Sequence, residues 1–282
     1  MELVESIEAL RAQLGSARVS GRRIALVPTM GALHQGHLSL IRRAGADGSL
    51  VVVSVFVNPT QFNDPADLAK YPRRTEQDAR DAAAAGAELV FTPTAAQMYP
   101  DGFNTSIRVG GVSERWEGAS RGASHFDGVA LVVTKLLGIA GPDTAWFGAK
   151  DAQQLAVIRR VSADLNLPVQ IRAAETVRDD AGLALSSRNA LLAEQDRGAA
   201  LSLGASLRAA ADAVRVGERD AAALTARALD TLTDAGARPE YWAVVDPVSF
   251  EPLERVEAGT PALAIVAAYA GAVRLIDNLR LA

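Results

Sequence analysis

A chain of 282 residues, 49% hydrophobic and 22% charged, has room for about two globular domains and for a core that needs no covalent staples. It contains no cysteine, which excludes disulfide scaffolds, thiolate metal sites and cysteine nucleophiles, and its three histidines leave little for a histidine metal cage. A formal charge of −4 argues against a general nucleic-acid binder, so any basic site must be local.

The N-terminal stretch MELVESIEALRAQL reads as an amphipathic helix with early acids rather than a signal sequence. The longest apolar runs, such as residues 50–57, are too short to span a bilayer, so a cytoplasmic protein without membrane attachment is the expectation. Short continuous apolar runs bounded by Pro or Gly then follow at residues 24–27, 51–57, 88–92, 145–147 and 169–172. Such runs suit strands covered on both faces. Helical spacing fills the intervals 38–46, 75–85, 128–139 and 151–165, which predicts right-handed βαβ units. Residues 188–235 are rich in Ala, Leu and Arg and predict two or three helices, with breaks near Gly204 and at 216–217. Strand-like pieces close the chain at 241–245, 262–269 and 272–276, the last two joined by a turn at Gly271. The fold class expected is α/β: a Rossmann-like doubly wound parallel sheet over residues 1–176 with a smaller C-terminal α+β domain over residues 177–282.

The segment with most chemistry is VPTMGALHQGH, residues 27–37, directly after the first predicted strand. Gly31 permits a tight turn, and a helix opens near Gly36, so His34 and His37 project from the same side of a helix N-terminus. That end offers unpaired N–H groups to a phosphate, and two imidazoles beside it can steady a departing pyrophosphate. A structural turn with two satisfied histidines is the plainer alternative. Zinc is disfavoured because no third histidine or cysteine stands nearby. Gln61 follows a strand end, where open α/β sheets bind ligands, and its amide can hold a hydroxyl and a carboxylate together; a solvated loop glutamine is the ordinary case. Lys150, after Gly148, can reach phosphates as a point charge, while Asp151 can equally cap its helix. The hydroxyls of Ser186 and Ser187 with the Arg188 guanidinium suit a phosphate clamp or, equally, a helix cap. Asp78 is a candidate for holding Mg²⁺, with an exposed helix acid as the common alternative.

The string PTMGALHQGH resembles the H-x-G-H signature of the nucleotidyltransferase superfamily and, at full length, the pantoate–β-alanine ligase (pantothenate synthetase) family. Four more blocks carry the resemblance in the family's order: VFVNPTQF at 55–62, YPR at 71–73, FGAKDAQQ at 147–154 and LSSRN at 185–189. It implies an AMP-forming ligase that condenses pantoate with β-alanine through a pantoyl adenylate, using ATP and Mg²⁺, with no zinc, no nucleic-acid partner and a homodimeric state. By the same resemblance Met30, Gly31, Ala32, Leu33, His34, Gln35, Gly36 and His37 line ATP. So do Gly148, Ala149, Lys150 and Asp151, and beyond them Val177, Leu185, Ser186, Ser187 and Arg188. His37, His34, Lys150 and Arg188 are the catalytic candidates. Gln61 is assigned to pantoate and β-alanine, Gln154 to pantoate and His125 to the lining of the substrate site, with structural packing as its alternative. The C-terminal domain is implied to be a lid. Two departures stand out: Leu185 replaces the family's usual Met, and RGASHF at 121–126 lacks a proline and carries an extra residue before His125. Within enzymes, transfer of AMP or CMP to a phosphorylated substrate is the alternative; a nucleotide-sensing or tRNA-binding module without turnover is the other.

Overall fold

The computed structural model describes residues 1–62, 68, 69 and 71–281. The chain divides into two compact units, one of residues 1–149 and 157–175, the other of residues 150–156 and 176–282.

The first unit follows the order β1 (Glu2–Val4), α1 (Ile7–Val19), β2 (Ile24–Thr29), α2 (Gln35–Ala44), β3 (Leu50–Val55), a 3-10 turn (Pro59–Gln61), α3 (Thr75–Ala84), β4 (Leu89–Phe91), α4 (Ala95–Met98), α5 (Glu117–Arg121), α6 (Ala123–Ala140), β5 (Thr144–Gly148), α7 (Ala152–Asp164) and β6 (Gln170–Ala174). The six strands form one parallel sheet in the order β1-β4-β3-β2-β5-β6. Strands β2 and β3 are buried along nearly their whole length, which is why they read as unbroken apolar runs and not as alternating ones. On one face Leu40, Ile41 and Ala44 of α2 and Ala79 and Ala82 of α3 pack on Ala25, Val27, Val51, Val53 and Val90. Burying each large aliphatic of this kind contributes about 1.5–3 kcal/mol.

The N-terminus departs from expectation. Residues 2–4 are not the start of the helix; they add an edge strand beside β4, and Ser6 then caps α1 by accepting the N–H of Ala9 at 3.1 Å. A three-residue strand cannot be told from a helix turn by periodicity, and here the sheet edge decides. The strand order reverses between β2 and β5: from β2 the chain builds outward through β3 and β4 on one side and through β5 and β6 on the other. Such a switch point leaves a crevice at the carboxyl ends of the two strands. The loop after β2 and Ala149 after β5 begin at those ends, and the Ala149 N–H donates to the Ala174 carbonyl at 2.8 Å.

In the second unit, two 3-10 turns (Ser187–Leu191 and Glu194–Asp196) lead into α8 (Arg197–Arg215) and α9 (Ala221–Asp234), then β7 (Arg238–Val245), β8 (Leu263–Ala270) and β9 (Val273–Arg280). The three strands form an antiparallel sheet in that order. Both helices cover one face of it: Leu203, Leu207, Leu224 and Leu232 meet Trp242, Val244, Val266 and Leu275. The expected break near Gly204 does not occur; Gly204 lies inside α8, where a β-carbon would come within 3.2 Å of the Gly182 carbonyl oxygen. It is a contact glycine, not a helix breaker. The β8–β9 hairpin turns as expected through Gly271, at φ +57°, and a side chain there would overlap the Asp196 carboxylate. Strand β7 starts three residues before its predicted position because a bulge at Glu240 absorbs Pro239 on this edge strand. Among the described residues no helix is long and apolar enough to cross a membrane.

Candidate active site

Thr29 ends β2 with its side chain turned to the backbone: the hydroxyl donates to the Ser54 carbonyl at 2.8 Å and accepts the Gly31 N–H at 3.2 Å. Gly31 and Ala32 then take φ values of +87° and +51°, the left-handed region that turns the chain sharply away from the strand. The turn is held from below by Asp78 of α3. This carboxylate is only 2% exposed, and its oxygens accept the N–H groups of Ala32 at 3.0 Å and Leu33 at 2.8 Å. Asp78 is thus not an exposed helix acid. Both its oxygens accept main-chain amides under the loop. A hollow of about 290 Å³ opens beside Met30 and Gly31, walled by Val55, Phe56, Val57 and Pro72.

Helix α2 opens on a reciprocal histidine cap. The His34 backbone is extended and its Nδ1 accepts the Gly36 N–H at 3.1 Å, while Nδ1 of His37 accepts the His34 N–H at 3.3 Å. An Nδ1 that accepts places the proton of the neutral ring on Nε2, so both imidazoles carry their donors on the far edge. The two ring centroids are 4.1 Å apart. Gly36 makes this possible, since a β-carbon there would stand 2.8 Å from Cε1 of His34. The first turn of the helix carries no acidic residue of its own, which suits an anion at its positive end.

Beyond β3, the turn at Pro59–Gln61 is organised by Asn58, which is 1% exposed. Its Oδ1 accepts from the Thr60 N–H, the Thr60 hydroxyl and, at 2.8 Å, the Tyr99 hydroxyl. That fixes its Nδ2 as the donor to Oε1 of Gln61 at 3.0 Å and to the Gly128 carbonyl at 3.1 Å. The carbonyl of the Gln61 side chain is therefore turned toward Asn58 and its NH₂ away, ready to donate. Burial pushes the Tyr99 phenol above its ordinary range, against the bond with Thr60 that lowers it, which keeps it an O–H donor to Asn58. Nδ1 of His125, near the start of α6, lies 3.1 Å from the Gln61 backbone oxygen. Gly122, at φ +82°, joins α5 to α6 three residues before His125.

In the second unit, Lys150 lies 3.4 Å from the Asp151 carboxylate, and Asp151 stands just before α7 with its carbonyl accepting the Leu155 N–H. Gln153 is 4% exposed and structural, whereas Gln154 is half-buried. Residues 178–184 form a small hairpin in which the Leu185 N–H donates to the Val177 carbonyl, bringing those two residues together. The Ser186 hydroxyl accepts the Arg188 N–H at 3.2 Å, a cap at the start of a 3-10 turn and not of an α-helix.

Sequence reading alone missed Asn58 and Tyr99. Asn58 stood out only as half of an Asn-Pro turn, and its function depends on partners 41 and 70 residues away.

A family model described as pantoate-beta-alanine ligase matches residues 2–280. The pantothenate synthetase of Rhizorhabdus wittichii is 53% identical over 280 residues, covering 99% of this chain and 98% of that protein. Its Pseudomonas aeruginosa counterpart is 50% identical over 281 residues, again 99% of this chain and 98% of the relative. Among solved structures, pantothenate synthetase from Thermus thermophilus superposes with a TM-score of 0.89 at 41% identity, covering 100% of this chain and 99% of that one. The Francisella tularensis pantoate-beta-alanine ligase, solved in complex with beta-gamma ATP and beta-alanine, gives 0.81 at 33% identity, with 100% and 98% covered. With a match that runs the length of the chain and relatives at half identity, this protein belongs to the pantoate-beta-alanine ligase family.

Proposed function

We propose that the chain condenses pantoate with β-alanine to pantothenate in an ATP-dependent reaction that passes through pantoyl adenylate. The observation that carries the reading is the reciprocal His34–His37 cap, which sets two imidazoles at the N-terminus of the helix that follows β2, at the switch point of a parallel sheet. In the first step a carboxylate oxygen of pantoate attacks the α-phosphorus of ATP and pyrophosphate leaves with the bridging electron pair. In the second, the amine of β-alanine attacks the acyl carbonyl, loses a proton and expels AMP. Both steps need positioning and stabilisation of moving negative charge more than an enzyme nucleophile.

The roles are those the family resemblance implies, and the side-chain chemistry suits them. Nε2 of His34 and of His37 donate to phosphate oxygens, with His37 assisting pyrophosphate departure. Lys150, Ser186, Ser187 and Arg188 supply further positive charge and donors to the phosphates. Gly31 to Gln35 and Gly148 to Asp151 offer close backbone, and Met30, Val177 and Leu185 apolar surface. Gln61 donates its NH₂ to pantoate and contacts β-alanine, Gln154 holds pantoate and His125 steadies the Gln61 backbone. Mg²⁺ arrives with the triphosphate; Asp78 is assigned to the shape of the loop. Residues 1–176 bind nucleotide and pantoate and 177–282 act as a lid, in a cytoplasmic homodimer.

The test is isotopic. Pantoate labelled with ¹⁸O in its carboxylate should transfer one labelled oxygen to AMP, and pyrophosphate should exchange into ATP when pantoate is present without β-alanine. Unlabelled AMP with no exchange would overturn the adenylate route.

A further inference from the structure

Two consecutive residues of β9, Asp277 and Asn278, are 5% and 9% exposed, and neither resembles the apolar residues that otherwise fill the buried positions of this strand. Consecutive side chains of a strand point to opposite faces. Asp277 lies on the same face as Val273 and Leu275, which join the helix-covered core. There it receives Arg178 in a two-pronged pair, Nη1 to Oδ2 at 2.6 Å and Nη2 to Oδ1 at 3.0 Å. Nη1 of Arg178 also donates to the Gly182 carbonyl at 3.2 Å, so the guanidinium fastens the tip of the 178–184 hairpin to the strand. That hairpin runs straight into Ser186–Arg188, and Nδ2 of Asn189 closes the segment by donating to the Ala184 carbonyl at 3.0 Å. From the other face, Nδ2 of Asn278 donates to the backbone carbonyl of Lys150 at 2.8 Å. One further bond links the pair: the Asn278 N–H donates to Oδ1 of Asp277 at 2.8 Å.

We infer that Asp277 and Asn278 are positioning residues that hold Lys150 and the Ser186–Arg188 turn in a fixed spacing on one rigid strand, so that the two cation-bearing segments meet the phosphates of ATP together. This rests on the assignment of Lys150 and Ser186–Arg188 to the phosphates. A stability role alone leaves the choice of partners unexplained, since apolar residues would fill a strand of this burial at lower desolvation cost. Instead the strand spends a buried carboxylate and a buried amide on the two segments.

The experiment measures pantoate-dependent ATP–pyrophosphate exchange for Asn278→Ala, Lys150→Ala, their double variant and Arg178→Lys, with thermal unfolding as a check on folding. A displacement of about 1 Å at a positioning contact costs on the order of 100-fold, so Asn278→Ala should lower kcat/KM for ATP by roughly 10- to 100-fold. The KM for β-alanine should stay within about twofold, and Asn278→Ala introduced into Lys150→Ala should cost less than about twofold more, since residues acting through one another are not additive. Arg178→Lys keeps the charge and gives up the fork; it should raise the KM for ATP in a protein that folds normally, and it carries the test if Asn278→Ala does not fold. Unchanged ATP kinetics in the folded variants, or full multiplicativity with Lys150→Ala, would overturn the inference while leaving the phosphate assignment standing. If Lys150→Ala itself exchanges normally, the phosphate assignment falls, and the inference with it.

Discussion

A β-carbon placed on Gly31 would lie 2.9 Å from Oδ2 of Asp78, the oxygen that holds the next residue's N–H. Loop and helix are therefore fitted to each other at a single glycine, whose φ of +87° already excludes most side chains. Replacing Asp78 tests this fit. Asp78→Ala leaves the N–H groups of Ala32 and Leu33 without their acceptors, and an unpaired buried donor costs about 1–3 kcal/mol. The expected outcome is a loss of stability in that range in urea titration, together with weaker ATP binding by calorimetry. Asp78→Asn, which can accept only through its single oxygen, should fall between.

Gly36→Ala should separate stability from activity. Ala is a better helix former than Gly by up to about 1 kcal/mol, which offsets the roughly 1 kcal/mol lost with the cap, so thermal stability should change little. The new methyl meets the His34 ring, which must leave its cap. Pantoate-dependent exchange should drop at least about tenfold, as expected when a reacting group is displaced by a fraction of an ångström. Retained exchange with raised stability would show that the cap geometry is dispensable.

Gly128 faces the turn that carries Gln61. A side chain there would overlap the backbone oxygen of Thr60, and the Gly128 carbonyl is itself an acceptor for Asn58. Overpacking against main chain costs about 1–3 kcal/mol, and Gly128→Ala should move the turn to relieve it. The KM values for pantoate and β-alanine should rise more than that for ATP. Gln61→Ala should show the same pattern in a protein of unaltered stability.

Acid should loosen the 178–184 hairpin through Asp179. Burial opposes ionisation of this carboxyl, but the N–H of Leu183, the Arg197 guanidinium and the N–H of Ala181 outweigh it and hold it below the usual carboxylate range. A folded pKa below the unfolded value gives stability that is fully present above about pH 4 and is lost as pH falls through the folded pKa. The stability difference between the native chain and Asp179→Asn should accordingly be constant from neutrality to about pH 5 and shrink below pH 4. A difference that persists undiminished in acid would contradict this.

What the sequence makes legible follows the range of the interactions involved. The central strands announce themselves because both their faces are covered, and the helix after PTMGALH is visible because glycine and histidine are local signals. Residues whose meaning lies across the fold were not legible. Gly204 looks like a helix breaker until the Gly182 carbonyl is seen against it, and Asp78 looks like a surface acid until two loop amides close over it. Asn58, Tyr99, Asp277 and Asn278 belong to the same class: each takes its importance from a partner far away in the chain. Residues 150–156 follow the strand of one unit in sequence yet cluster with the other, a division no composition shift marks.

The tip of the β8–β9 hairpin is seated against Asp196 so closely that Gly271 has no space for a side chain. Hairpin ends are ordinarily where a fluorophore, an epitope or a few extra residues can be grafted without harm. In this molecule that habit would fail, because lengthening the turn drives it into the segment that follows Ser187–Leu191. The turn around Val248, three-quarters exposed, is the place for a label.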